Sequence, residues 1–291
     1  LWSAVVSAER AFDFEGEEFA QLCRVLYERT GLTFDEKKIE YLRKRVASRI
    51  DATNGEGSAF HRYLRLVKDS SNTRELQELV NLVTVNETYF FRETYQLECM
   101  VTSMLDEVVK ANPGKRSIKI WSLPCSTGEE PYSLAIYLLE RWPHVDAYDI
   151  EIVGSDIDTV VLEQARKGRY SPRSVRLVPD PYLKKYFRRV GDEFQLGDNL
   201  LGSVELTHVN ISDARQMSAY RDFDIVFCRN VLIYFDDTSR RIAAENIFAA
   251  MNPGGFVCLG HSESMSRISN LFELRKFPDA MVYQRPHGQR K

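Results

Sequence analysis

At 291 residues, with 44% hydrophobic and 28% charged side chains, the chain has ordinary globular make-up, which excludes disordered, collagen-like and coiled-coil classes. Its length predicts about two domains and a core that needs no disulfides. A formal net charge of -3 sets up no global field toward nucleic acid or a membrane, and no apolar run approaches the roughly 18 residues of a membrane span.

Residues 1–12 show neither a basic stretch nor a long apolar run, so no secretory signal is expected there. Phe19, Leu22, Cys23 and Leu26 then recur at helical spacing, and Gly31 stops that helix. Ile39, Leu42, Val46 and Ile50 predict a second helix, ending before Asn54-Gly55. Phe60, Tyr63, Leu64 and Val67 predict a third, and Leu76, Leu79, Val80 and Val83 a fourth. Together they predict a small all-α domain over 12–85, with a short connection to a second domain over 86–291. The second helix is basic: residues 37–49 hold Lys37, Lys38, Arg43, Lys44, Arg45 and Arg49 against one acid, Glu40. A solvated face is the usual meaning of such a helix.

After about residue 115 the texture changes. Residues 118–123, 150–155, 204–209, 223–228 and 256–260 are short runs rich in β-branched or aromatic side chains. Helical patterns follow at 131–141, 159–167 and 237–251. Strands alternating with helices predict an α/β domain with a doubly wound, mostly parallel sheet. Asn252-Pro253-Gly254-Gly255 reads as a tight turn into the fifth strand. Residues 272–277 and 281–284, separated by Pro278-Asp279-Ala280, suit a hairpin, which gives the sheet an antiparallel C-terminal edge. The Pro/Gly-punctuated stretch 168–203 predicts a small β insertion, with a hairpin of 188–190 and 193–196 about Gly191-Asp192. The five cysteines, Cys23, Cys99, Cys125, Cys228 and Cys258, are scattered and form no Cys-x-x-Cys pair. That argues against a zinc site or a disulfide framework and for a reducing, cytoplasmic setting.

Four segments carry polar residues where ligands of such sheets bind. Ser122-Leu123-Pro124-Cys125-Ser126-Thr127-Gly128-Glu129-Glu130-Pro131 runs from a strand into a helix expected to start at Pro131. It lacks the Gly-Lys-Ser/Thr of a P-loop and the Gly-x-Gly-x-x-Gly of a dinucleotide site, and its two carboxylates suit a ligand that is not a polyphosphate. Taken alone it is an ordinary turn with a glutamate-rich helix start. Gly154-Ser155-Asp156-Ile157-Asp158 puts an acid at the tip of the second strand, where it can accept two ribose hydroxyls, while Asp158 suits a helix N-cap. Cys228-Arg229-Asn230 ends a buried strand, and Tyr234 follows between Ile233 and Phe235. Asn86, Thr88 and Arg92 stand beside Tyr89, Phe90 and Phe91 at the junction of the two domains.

Asn86-x-Thr88-x-Phe90-Phe91-Arg92-Glu93, Ser126-Thr127-Gly128-Glu129-Glu130-Pro131-Tyr132-Ser133, Ser155-Asp156-Ile157-Asp158, Phe227-Cys228-Arg229-Asn230-Val231-x-Ile233-Tyr234-Phe235 and Gly260-His261-Ser262-Glu263 occur in that order. In this combination the chain resembles the CheR-type chemotaxis receptor methyltransferases over about residues 14–285. The resemblance implies a class I S-adenosylmethionine methyltransferase-like fold and methylation of receptor glutamates, with S-adenosylhomocysteine as the product. It implies that Asn86, Thr88 and Arg92 close over the cofactor, that Glu130, with or without Glu129, meets its charged methionine end, and that Asp156 meets its ribose. It places Asn210 and Ile211 beside the adenine and Arg229 and Asn230 on the pocket floor, and it turns Arg92 and Tyr234, as catalytic residues, toward the substrate carboxylate. The family has small residues where this chain has Leu123-Pro124, and Pro124 offers no N–H.

The chemistry fits these residue types. A glutamate is ionised near neutral pH and needs no general base, so alignment is the main task. A nucleic-acid amino-methyltransferase needs an Asp/Asn-Pro-Pro-aromatic motif where this chain has Arg229-Asn230-Val231-Leu232, and a non-catalytic cofactor-binding module would not need Arg92 and Tyr234. No metal, nucleic acid or membrane insertion is expected. The substrate implied by the resemblance is a helical receptor bundle bearing glutamates, which the basic face of 37–49 would steer, Arg43 and Arg45 foremost. Some members of the family also bind a receptor's C-terminal pentapeptide at the β insertion. The short Val190-Gly191-Asp192-Glu193 turn predicts a receptor held without that tether.

Overall fold

The computed structural model describes residues 16–34, 36–53, 59–69, 71, 73–114, 116–278 and 280–288. The expectations at 1–12, at Asn54-Gly55 and at Asp279 lie outside the described residues. The chain divides into two compact units between Thr84 and Val85.

The first unit holds α1 (Glu17–Thr30), α2 (Glu36–Ala52), α3 (Ala59–Lys68) and α4 (Thr73–Val83). The apolar spacing puts one face of each helix inside the unit. Leu22, Leu26, Leu42, Val46, Ile50, Tyr63, Val67 and Leu79 are all buried. Gly31 takes the left-handed conformation and donates its N–H to the Tyr27 carbonyl at 2.7 Å, ending α1 as expected. The basic face of α2 is smaller than its composition suggests. Arg49 makes a two-pronged bond to the buried Glu75 (2.8 and 2.6 Å), and Arg43 pairs with Glu40 at 2.6 Å while lying over the Phe19 ring. Lys44 and Arg45 are exposed.

The second unit opens with a helix that the periodicity reading passed over. α5 (Thr94–Cys99), a π-helical turn (Met100–Met104) and α6 (Leu105–Ala111) follow without a break. Leu97, Met100, Val101, Met104, Leu105 and Val108 are buried along it, a pattern present in the sequence. Then come β1 (Ser117–Ser122), α7 (Glu129–Arg141), β2 (Asp149–Asp156), α8 (Thr159–Lys167), β3 (Arg169–Tyr170), α9 (Asp180–Tyr186), β4 (Phe187–Val190) and β5 (Glu193–Leu196). They are followed by α10 (Asp198–Leu201), β6 (Val204–His208), α11 (Ala214–Met217), β7 (Phe223–Cys228), α12 (Asp237–Ala250), β8 (Met251–Leu259), β9 (Glu273–Lys276) and β10 (Met281–Gln284).

The main sheet has the order β6-β2-β1-β7-β8-β10-β9. Its first five strands pair in parallel, and β10 is antiparallel to both β8 and β9. The chain winds outward from β1 through β2 to β6, then returns to the other side of β1 with β7. The C-terminal ends of β1 and β7 therefore flank the topological switch point, where ligands of open α/β sheets bind. The insertion forms its own sheet, β3-β5-β4, with the hairpin about Gly191-Asp192. The turn expected at 252–255 is instead a bulge inside β8. Pairing with β7 jumps from Phe223–Met251 to Ile225–Phe256, which leaves extra residues on β8.

Candidate active site

The first wall is the turn after β1. Four of its amides are committed within the protein: Leu123 N–H to the Phe227 carbonyl, Cys125 N–H to the Ser155 carbonyl, Ser126 N–H to the Asp156 carboxylate and Gly128 N–H to the Cys125 carbonyl. Gly128 has φ 93°, and a Cβ there would stand 2.8 Å from Tyr132 Cε2 and 2.9 Å from Ala165 Cβ. The helix that follows begins at Glu129, two residues before the expected Pro131. Proline is tolerated inside the first turn because those N–H groups have no intrahelical partner. Of the paired carboxylates, Glu129 turns away to accept from the Thr127 hydroxyl at 2.5 Å, whereas Glu130 faces the cleft.

The tip of β2 holds Asp156, which is 3% exposed. Its Oδ2 accepts from Ser126 N–H at 2.8 Å and its Oδ1 from Asp158 N–H at 2.9 Å. Burial outweighs these bonds and pushes its carboxyl up to about 6. Asp158 caps α8, accepting from the N–H groups of Val160 and Val161, and its other oxygen accepts from Asn86 Nδ2 at 2.7 Å.

At the tip of β7, Arg229 is buried between two acids. Its Nη1 donates to Glu130 Oε2 at 2.8 Å, and its Nη2 reaches Glu93 Oε2 at 3.2 Å and the Arg92 carbonyl at 3.0 Å. Burial raises the Glu130 carboxyl, while Arg229 and the Ser122 hydroxyl (2.7 Å) pull against it. Glu263 joins this tip to the end of β8. It accepts the N–H groups of Asn230, Leu232 and Gly260, each at 2.8 Å, which fixes Asn230 at φ 59°. A Cβ at Gly260 would come within 2.6 Å of Asn230 Nδ2 and 2.9 Å of Glu263 Oε2, so a larger residue there would displace the side chains of this clamp.

A strap, residues 85–93, forms the remaining wall. Phe90 and Phe91 peg it down. Phe90 packs edge-on to Tyr170 (4.7 Å) and Phe187 (5.1 Å), and Phe91 edge-on to Tyr137 (5.3 Å). Phe91 N–H also donates to the Ser133 hydroxyl at 3.0 Å. Asn86, Thr88 and Arg92, each half-buried, line the cleft, and Arg92 Nη1 donates to the Glu87 carbonyl at 2.9 Å.

One cleft, open to solvent, thus gathers Asn86, Thr88, Arg92, Glu130, Asp156, Arg229 and Asn230. Asn210, Ile211 and Tyr234 are not among its lining residues. Asn210 shapes the turn after β6, its side chain accepting Ser212 N–H at 2.9 Å, and the Ile211 carbonyl accepts from Asn246. Tyr234 is half-buried at the end of a short turn, Leu232–Tyr234. Cys125 and Cys228 are buried, and desolvation first of all holds both thiols well above the ordinary range, so they are protonated packing groups. Glu93, Ser126, Ser133 and the clamp role of Glu263 were not singled out by sequence reasoning. Among the described residues no cluster of three His, Cys, Asp or Glu is placed to hold a metal ion, and no helix is long and apolar enough to cross a membrane.

Residues 86–281 match the family described as CheR methyltransferase, SAM binding domain, and residues 17–84 match its all-alpha domain. The chain belongs to the CheR methyltransferase family. It is 44% identical to chemotaxis protein methyltransferase 2 of Vibrio cholerae over 271 residues, covering 93% of each chain. It is 32% identical to the chemotaxis protein methyltransferase of Salmonella typhimurium, covering 88% of this chain and 87% of that one. A putative S-adenosyl-L-methionine-dependent methyltransferase structure from Methanococcus maripaludis aligns with 72% of this chain and 98% of its own at 11% identity and a TM-score of 0.37. This CheR chain is an S-adenosylmethionine-dependent chemotaxis protein methyltransferase.

The residues present suit that cofactor. It carries two neighbouring ribose hydroxyls, an ammonium, a carboxylate and a sulfonium. The cleft offers acids (Asp156, Glu130) and cations (Arg92, Arg229) on different walls. Ser126 Oγ, at the cleft, and Arg229 Nε are buried without a hydrogen-bond partner in the structure. The Asp156 carboxyl, raised to about 6 by burial, would gain from further hydroxyl donors at its ionised form.

Proposed function

We propose that this chain methylates glutamate side chains of bacterial chemoreceptors in the cytoplasm, giving glutamate methyl esters in sensory adaptation. The observation that carries this reading is Arg92, a cation in the same cleft as Asp156 and Glu130, on a strap pegged down by two buried rings. When bound, S-adenosylmethionine supplies the methyl group and becomes the thioether S-adenosylhomocysteine.

The rest falls to the protein. Asp156 accepts the ribose hydroxyls, Glu130 meets the charged methionine end, and Asn86, Thr88 and Arg92 close over the cofactor. Asn210 and Ile211 border the base, and Asn230 and Arg229 form the floor. Arg92 orients the acceptor carboxylate by charge-assisted hydrogen bonds, and Tyr234 donates its hydroxyl to one carboxylate oxygen. The acceptor oxygen attacks methyl carbon, the carbon–sulfur bond breaks with its electron pair passing to sulfur, and no proton moves. Alignment and water exclusion are therefore the main tasks of the site.

The receptor is steered by α2, where, among the described side chains, Lys44 and Arg45 are the exposed cations and Arg49 is bonded to Glu75. The β4–β5 hairpin turns through Gly191 and Asp192 alone, which supports engagement without a pentapeptide tether. The test is transfer of labelled methyl groups to a chemoreceptor cytoplasmic fragment. Alkali-labile label, released as methanol, is expected; alkali-stable label would mean an acceptor other than a carboxylate and would refute the reading.

A further inference from the structure

The insertion brings a second cationic feature to the mouth of the cleft, one that the reaction above leaves unused. Between β3 and α9 the chain makes compact turns, with Val175 and Val178 buried and Arg173 and Arg176 exposed. This segment is fastened to the strap by the Phe90 N–H bond to the Ser174 carbonyl at 2.9 Å. Its arginines consequently meet strap residues that line the cleft. Arg176 lies 3.8 Å from the centroid of the Tyr89 ring, and Arg92 lies 5.7 Å from the same ring. Arg173 reaches Glu87 Oε1 at 3.1 Å.

Among these three guanidinium groups a carboxylate bond is seen for Arg173, to Glu87, while Arg92 donates to the Glu87 backbone carbonyl and Arg176 to the Arg173 backbone carbonyl. The Arg173–Glu87 pair is 78% and 67% exposed, so it is easily exchanged for another anion. The Tyr89 ring face holds Arg176 in place without cancelling its charge. A cluster of like charges fixed at the mouth of a cleft raises the local concentration of anionic partners. The partner that enters this cleft, on the glutamate reading above, is a protein presenting a carboxylate.

We infer that Arg173 and Arg176, with Arg92 behind them, form a rim that receives acidic side chains flanking the acceptor glutamate. Arg92 takes the acceptor itself, and the two insertion arginines take its acidic neighbours, so the enzyme favours glutamates in acidic surroundings. This inference rests on the glutamate reading.

The experiment compares wild type with the double variant Arg173→Ser, Arg176→Ser. The substrates are a chemoreceptor cytoplasmic fragment and the same fragment with the carboxylates flanking its acceptor changed to amides. On the native fragment the double variant should raise KM between about threefold and tenfold. Its kcat and its affinity for S-adenosylhomocysteine should stay at the wild-type level. The gap between enzymes should close on the amide fragment, and Arg176→Lys should recover part of the loss. An unchanged KM, or a rise that persists undiminished on the amide fragment, would overturn the rim. If wild type forms no alkali-labile ester on the native fragment, the glutamate reading falls, and the rim with it.

Discussion

The tips of β2 and β7 each hold a buried charge, and the two are stabilised by opposite means. Asp156 is met by backbone N–H groups of Ser126 and Asp158, which orient the carboxylate but bring no countercharge. Arg229 is met by two carboxylates, Glu130 and Glu93. The acid therefore stays responsive, with a carboxyl raised to about 6, while the cation is locked into the framework. Dipoles position a ligand-binding group and leave it open to a ligand. Ion pairs tie elements together and resist change.

Breaking the locked side should have the largest effect. Arg229→Met leaves the mostly buried Glu130 and Glu93 without their shared countercharge, and unfolding in urea should show a loss of about 3–5 kcal/mol. A loss below ~1 kcal/mol would place this ion pair with surface pairs and erase the contrast.

The responsive side is probed by Asp156→Asn, which keeps the shape and removes the charge. Calorimetry should show S-adenosylhomocysteine binding weakened by about 1.5–3 kcal/mol, between roughly 10-fold and 150-fold. In wild type the affinity should rise as pH goes from about 5 to about 8, because hydroxyl donors bind the ionised carboxylate best. The Asn variant should lose that slope. The sign for stability is the reverse. A carboxyl raised in the folded state holds its proton more tightly than in the unfolded chain. Its favourable contribution is complete below about pH 4 and is lost as pH rises through about 6. If the variant kept the wild-type slope, another group would govern the pH response.

The smallest effect is expected at Tyr234→Phe, which removes one hydroxyl. Cofactor affinity should stay at wild type while methylation slows about fivefold, the worth of one hydrogen bond. An unaffected rate would reduce Tyr234 to packing, in line with its position outside the cleft lining.

Much of this arrangement was legible in the residues, and the failures have local reasons. The four helices of the first unit follow their apolar spacing because each buries one face. The parallel strands follow their β-branched runs because both faces are covered; every residue of β7 is buried. The helix from Thr94 to Ala111 was missed although Leu97, Met104 and Val108 carry its spacing. Asn252-Pro253-Gly254-Gly255 has turn chemistry, but the pairing of β8 with β7 on both sides turns it into a bulge.

The order of strands and helices, the residues at the strand ends and the pegs of the strap were set by short-range patterns, since periodicity and turn chemistry act within a few residues. Which charges meet was decided only by the folded chain. Glu130 and Arg229 are 99 positions apart, and Glu263 finds the Asn230 amide 33 positions away. The six basic residues of 37–49 look alike in sequence, yet Arg49 is bonded to the buried Glu75 and Arg45 is exposed. No local preference specifies such partners. They are selected because a buried charge or N–H must be satisfied by whatever group the packing of distant elements brings within reach.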